Sequence, residues 1–334
     1  MTNISRTLRY GAVVLGLLLV AGCGGSSATT SAHAPRTAKR APAASSAPVT
    51  LAFRHLYSLP APLRDPAFAA LGGSRFLLAG GLNAADTSTT EVDIADLHHI
   101  VRSGTLPGAQ HDAQGAGLPQ GGYVFGGANL TQYDHILRVD PATASVHPAG
   151  RLPSPASDVA VTQVGATAYI VGGYDGANFL NTVVAWTPGR GARVVGRMPV
   201  GLRYPAVTPG PIGQILVIGG TTPSGASRAV YIFNPATGHT RELARLPHPI
   251  THAGAATIGS YAYLVGGRSD SSRGQTSAIW SIDTATGRIR AAGHLPAATS
   301  DAAVLRVGGA IIIAGGMTSR GITLAEVGEL IPAP

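Results

Sequence analysis

The sequence predicts an all-β chain built from a repeated four-stranded unit. Three observations carry that reading. Apolar runs ending in Gly-Gly occur as FLLAGG (76–81), YVFGG (123–127), YIVGG (169–173), ILVIGG (215–220), YLVGG (263–267) and IIIAGG (311–316). Their second glycines, Gly81, Gly127, Gly173, Gly220, Gly267 and Gly316, are spaced by 46, 46, 47, 47 and 49 residues, which signals a repeat architecture. A second marker keeps step: Leu59-Pro60, Leu106-Pro107, Leu152-Pro153, Met198-Pro199, Leu246-Pro247 and Leu295-Pro296 recur 46 to 49 residues apart. Third, the runs within one unit lack the helical period and are bounded by Gly or Pro.

Residues 157–199 show one unit in order. SDVAVTQVG alternates Val159, Val161 and Val164 with small or polar residues, the pattern of a half-buried strand. ATAYIVGG is a continuous apolar run of strand length, which suits a strand covered on both faces. NTVVAWTP reads as a third strand and ARVVGRMP as a fourth. Between third and fourth strands stand DPATA (140–144), NPATG (234–238) and DTATG (283–287). There Asp or Asn opens a turn with its side chain, Pro presets φ, and a final Gly accepts the left-handed conformation, so the strands are antiparallel. The Gly-Gly pair is expected where neighbouring backbones converge and a side chain would collide.

Units of this kind cannot bury both faces alone, and radial stacking solves the problem as a six-bladed β-propeller with four antiparallel strands per blade. The Gly-Gly strand, the DPAT/NPATG hairpin and the LP followed by a polar opening, as in MPVGLRYPAV, resemble the kelch family over about residues 50–331. Kelch units usually carry a Trp shortly after the hairpin. Here Val146, Thr240 and Ile289 fall near that place, and Trp186 and Trp280 lie on third strands. After the sixth Gly-Gly only ITLAEVGELI (322–331) remains, whereas PVTLAFRHLYSLP (48–60) is a spare strand before the first unit. The N-terminal strand is therefore expected to close the last blade, removing an open edge.

The first residues give an address. Arg6 and Arg9 precede an apolar stretch over 12–22, too short to span a bilayer, and small residues lead to the chain's single cysteine. Val20-Ala21-Gly22-Cys23 resembles a bacterial lipobox, which implies cleavage after residue 22 and a diacylglycerol on Cys23. Residues 23–48, rich in Ala, Ser, Thr and Pro, read as a tether spanning roughly 25–30 Å, and 49–334 as the propeller. The expected location is the extracytoplasmic face of the cell membrane, anchored by lipid. The net charge of +8 is partly a property of this leader: five basic residues and no acid fall in 1–48, leaving 19 basic against 16 acidic residues. Arg36, Lys39 and Arg40 suit contact with anionic headgroups. No basic stripe or nucleic-acid module is present, and no such partner is expected.

Counting from each Leu/Met-Pro, the fourth residue after Pro is Arg64, His111, Ser157, Arg203, Thr251 or Ser300, and the fifth is Asp65, Asp112, Asp158, Tyr204, His252 or Asp301. These open the innermost strands and should ring one mouth of the axial channel. The longer loops after each Gly-Gly should flank the same face and bring Tyr174, Asp175, Arg268, Asp270 and Arg273 to it. Aspartates at strand starts also suit a structural role, accepting amides from the adjacent blade. His98 and His99 read as a solvent hairpin. No metal or other cofactor is expected.

There is no G-x-S-x-G, H-E-x-x-H or P-loop. Galactose oxidase, another kelch propeller, requires a cysteine cross-linked to a copper-ligand tyrosine, and the only cysteine here is assigned to lipid. The Ser-x-Asp-x-Gly boxes of sialidases are also missing. Some six-bladed kelch proteins are sugar mutarotases, and that chemistry needs one positioned acid–base pair, such as Asp112 with His111 or Asp301. Two functions follow: a lipid-anchored, monomeric binding module of the cell envelope for a glycan or protein partner, or an envelope sugar mutarotase. The ring's arginines favour an acidic ligand.

Overall fold

Alternation in the first strand of each unit and full apolarity in the second leave one way to bury both, sheet against sheet. The computed structural model describes residues 48–271 and 274–333, all within the unit Ser45–Pro334. The predicted signal peptide, Cys23 and tether lie outside the described residues, which begin at Pro48, as does Arg273. The only helical turn among the described residues is the 3-10 turn Pro211–Gly213, and none of their helices is long and apolar enough to cross a membrane.

The predicted unit is present as Ala160–Val164, Thr167–Val171, Thr182–Thr187 and Gly191–Arg197, joined antiparallel in that order. Three further four-stranded sheets repeat the pattern, beginning at Ala67, Gln114 and Ala206. An eight-stranded sheet holds Gly254–Ile258, Tyr261–Val265, Ala278–Asp283 and Ile289–His294 at one end and Ala303–Val307, Ala310–Ala314, Glu326–Pro332 and Leu51–Ser58 at the other. The two halves join through a short parallel pairing of Leu51 and Ala52 with Gly293 and His294. First strands of successive units touch in cyclic order, and Ala303–Val307 touches Ala67–Gly72 to complete the circuit.

The N-terminal strand takes the predicted place. Leu51–Ser58 runs antiparallel to Glu326–Pro332, from Leu51 opposite Pro332 to Ser58 opposite Glu326. Arg54 stands opposite Glu329 and pairs with its buried carboxylate. The core lies between sheets: Phe76 and Leu78 of one sheet pack on Ala303, Leu305, Ile312 and Val327 of the next. Each fully buried side chain of this size contributes about 1.5–3 kcal/mol. Trp186, on a third strand, fills another such gap against Tyr123 and Phe125.

The Gly-Gly pairs tie neighbouring units together. The amide of Gly173 donates to the Leu202 carbonyl at 2.7 Å, and a Cβ on Gly172 would lie 2.3 Å from that oxygen. The same tie closes the circuit: Gly316 donates to Leu63 at 2.9 Å. Both glycines of each pair have positive φ. The pair is thus a packing and hydrogen-bonding device rather than a loose turn. The hairpins behave as predicted. Asp140 Oδ1 accepts from the amides of Ala142 and Thr143, and Asp283 Oδ1 accepts from those of Ala285 and Thr286. His98 and His99 are exposed in an equivalent turn capped by Asp96.

Strand direction sorts the connections. First strands run away from the Leu-Pro crossings and second strands return to end in Gly-Gly. Leu-Pro crossings and post-Gly-Gly loops therefore share one face, the loop face. All the tight hairpins share the opposite face.

Candidate functional site

Register places the ring. In every repeat the fourth residue after Pro pairs with the residue that follows Gly-Gly: Arg64 with Leu82, His111 with Ala128, Ser157 with Tyr174, Arg203 with Thr221, Thr251 with Arg268, and Ser300 with Met317. The fifth residue is then forced into the left-handed region. Asp65, Asp112, Asp158, Tyr204, His252 and Asp301 have φ of 51°, 55°, 58°, 50°, 55° and 62°. Asp and His tolerate this conformation better than most, whereas it strains Tyr204.

These residues link unit to unit through their backbones. Amides of Asp158, Tyr204, His252, Asp301 and Asp65 donate to the carbonyls of Asp112, Asp158, Tyr204, His252 and Asp301, at 2.9, 2.9, 3.3, 3.0 and 2.9 Å. This corrects the expectation that aspartate side chains would take the neighbouring amides: the carbonyls do so, and the carboxyls are left for other partners. Asp158 pairs with Arg203, and Asp301 accepts from Ser300 Oγ. Tyr204 donates to Asp112 Oδ2 at 3.0 Å, and its ring stacks on His252 with centroids 3.7 Å apart.

The side chains meet in a constriction, not around an open mouth. Asp158 and Asp301 are buried. Behind them a cavity of about 400 Å³ runs among the first strands, from Asp65, Tyr204, His252 and Asp301 to Gln163, Thr257 and Arg306.

Burial sets the charge. Desolvation, then the charges of Asp301 and Asp112, push the Asp65 carboxyl well above the ordinary carboxylate range. Desolvation and the neighbouring Asp158 push Asp112 up likewise, against the pull of the Tyr204 hydroxyl. Asp301 is also raised by burial, opposed by Ser300, Arg268 and Arg64. Close approach to Asp301 adds to the rise at Asp65, and close approach to Asp158 adds to the rise at Asp112.

His252 is neutral. Burial lowers its pKa well below the ordinary value, and the positive charges of Arg268, Arg203 and Arg64 lower it further. His111 is lowered by burial and by Arg64, against the pull of Asp158. Its Nε2 lies 3.5 Å from Asp112 Oδ2, its Nδ1 lies 2.8 Å from Ser88 Oγ, and it keeps 22% of its side-chain exposure.

The ring's arginines differ in freedom. Arg203 is committed. It pairs with Asp158, whose side chain is 1% exposed, and its guanidinium lies 4.5 Å from the Tyr174 ring and 5.2 Å from that of Phe179. Removing it strands a buried carboxylate, which typically costs about 3–5 kcal/mol. Arg64 pairs instead with Asp86, which is 76% exposed. Among the loop candidates, Arg268 reaches the ring through His252, whereas Asp175 caps its own turn by accepting from the amides of Ala177 and Asn178. The Tyr174 hydroxyl is spent on the Gly176 carbonyl, and Asp270 accepts from the amide of Ala226 in the neighbouring loop. Phe179, Ser88 and Asp86 were not singled out by sequence. The one available signal was their place in the loops after Gly-Gly.

No family model matches the sequence, and no curated protein matches it. Among solved structures 1013 chains match. One, the structure of YjhT, has a TM-score of 0.68 at 16% identity, covering 81% of this chain and 96% of that chain. The fold is that of a kelch-like β-propeller. At that identity the likeness carries the fold and nothing of the chemistry, since superfolds host unrelated activities. The resemblance read from the Gly-Gly strands and Asx hairpins thus extends to the three-dimensional arrangement of a kelch-like propeller.

Proposed function

We propose that the chain is a lipid-anchored, six-bladed kelch-type propeller of the cell envelope that binds a carboxylate-bearing glycan on its loop face. One observation carries this reading. Three guanidiniums, those of Arg64, Arg203 and Arg268, act together on His252. The four ring aspartates would cancel that field if all were ionised. Burial raises the carboxyls of Asp65 and Asp112, which favours their uncharged forms and weakens that cancellation. Guanidinium groups bind carboxylates through directed, charge-assisted hydrogen bonds. A binding screen of acidic and neutral glycans against the protein tests it, and exclusive binding of neutral glycans would overturn it.

A second reading, sugar mutarotation, is favoured by His111 and Asp112. His111 Nε2 lies 3.5 Å from Asp112 Oδ2, and burial lowers the imidazole pKa while raising that of the carboxyl, the directions that suit a base and an acid for ring opening at an anomeric carbon. His252 is a poorer base, because Arg268 occupies its Nε2. Anomer exchange of reducing sugars followed by NMR tests this reading. Acceleration abolished by Asp112→Asn would support it, and no acceleration by the parent protein would remove it.

A further inference from the structure

We propose that the hairpin face docks on an anionic bilayer surface, with Ile212 as its apolar contact and the loop face turned away from the membrane. The inference rests on the lipid-anchor reading. The closing strand Leu51–Ser58 occupies a fourth-strand place, so it runs from the hairpin face to the loop face. Pro48 to Thr50 therefore sit at the hairpin face, where Thr50 accepts from the amide of Ala333. A tether ending at Pro48 meets the propeller on that face.

The surface there has a feature that packing does not explain. Ile212, at the tip of the Pro209–Gln214 hairpin, is fully exposed at 100% and holds φ 52° and ψ 42°. A β-branched residue in the left-handed region is strained, and here no buried contact offsets the strain. Strain of this kind clusters at functional positions. Val49, where the chain enters the propeller, is exposed on the same face. The same face also carries cations. Arg75, Arg190 and Arg306 are exposed, and no carboxylate pairs with them among the described residues. The aspartates of this face, Asp96, Asp140 and Asp283, accept the amides of their own turns, which lowers their pKa, so they remain as carboxylates within the turns while the three arginines reach solvent unpaired. Basic side chains with an exposed aliphatic residue suit a headgroup layer of negative charge.

The loop face also exposes Leu130 and Ile322. The attachment point decides between the two faces. An eight-residue strand is about 26 Å long, and a 25-residue tether spans roughly 25–30 Å. Turning the loop face to the membrane would consume almost that whole span.

The test uses the lipidated protein in vesicles of phosphatidylcholine with phosphatidylglycerol, where acylated Cys23 leaves no free thiol. Ser74→Cys reports on the hairpin face and Ser224→Cys on the loop face. Labelling by a membrane-impermeant maleimide is compared between vesicles and detergent. Ser74→Cys is expected to react several-fold more slowly in vesicles, and Ser224→Cys at an unchanged rate. Ile212→Asp, or vesicles of phosphatidylcholine alone, should restore Ser74→Cys labelling without changing the melting temperature. Equal rates at Ser74→Cys, or protection at Ser224→Cys instead, overturn the docking while leaving the anchor intact. Protection in cell membranes but not in vesicles overturns it in favour of a protein partner. If the parent protein and Cys23→Ala partition alike into the soluble fraction, the anchor reading fails and takes this inference with it.

Discussion

Arg268 donates from Nη2 to His252 Nε2 across 3.0 Å. A guanidinium can only donate, so this contact fixes His252 as the tautomer protonated at Nδ1. Nδ1–H then donates to Thr251 Oγ1 at 3.0 Å, and the Thr251 and Thr221 hydroxyls share a further hydrogen bond at 2.8 Å. A loop arginine, a ring histidine and two threonines make one connected chain that joins neighbouring units.

The chain implies a titration. Arg268→Ala removes both the donor and a positive charge that holds the His252 pKa down. Imidazole resonances followed by NMR should show His252 titrating at higher pH in the variant. An unchanged His252 would mean that Arg268 does not act on it in solution.

Stability should follow pH with an unusual sign. A carboxyl whose folded pKa is raised contributes stability below its unfolded pKa, and that stability is lost as pH rises through the folded value. Asp65, Asp112 and Asp301 all belong to this class, so their contribution declines as pH rises above the ordinary carboxyl value of 3.8. His252 acts in the opposite sense, since its lowered pKa makes stability fall as pH drops below 6.5. Asp65→Asn should melt higher than the parent protein above neutral pH, with the advantage shrinking toward 3.8. An advantage independent of pH would show that Asp65 is not the group that titrates.

Closure of the circuit predicts unequal deletions. Removing residues 48–58 takes away the partner of Glu326–Pro332 and the Arg54 that pairs with buried Glu329. It also opens a sheet edge. Removing 24–44 touches none of these contacts. Thermal melts should show a large loss for the first deletion and none for the second. Equal melting temperatures would contradict a shared last sheet.

The architecture was legible because two markers recur in step, and each has a single physical cause. Gly-Gly marks where Gly172 and Gly173 crowd the Leu202 carbonyl, and Leu-Pro marks the crossing to the next unit. Counting from the proline also located Asp65, Asp112, Asp158, Tyr204, His252 and Asp301 at one constriction. Their left-handed backbones were not legible, since four aspartates at strand starts read equally well as caps. Nor was the pairing. That Arg203 serves Asp158 while Arg64 faces exposed Asp86 depends on distances that no spacing encodes. Charge was legible as a count, but its balance at the ring depends on burial, which raises the carboxyls of Asp65, Asp112 and Asp301.

On the proposed function, Arg64 exchanges its exposed partner Asp86 for the carboxylate of a glycan bound at the loop face. Arg64→Ala probes it cleanly, because the carboxylate left behind, Asp86, is exposed. The decisive measurement is calorimetric titration of the protein and of Arg64→Ala with oligogalacturonate, beside a neutral glucan of the same length. Saturable binding of the acidic chain, weakened by salt, is expected, with an affinity loss of about 1.5–3 kcal/mol in Arg64→Ala at unchanged melting temperature. Equal affinity of parent and variant, or binding of the neutral glucan alone, would contradict it.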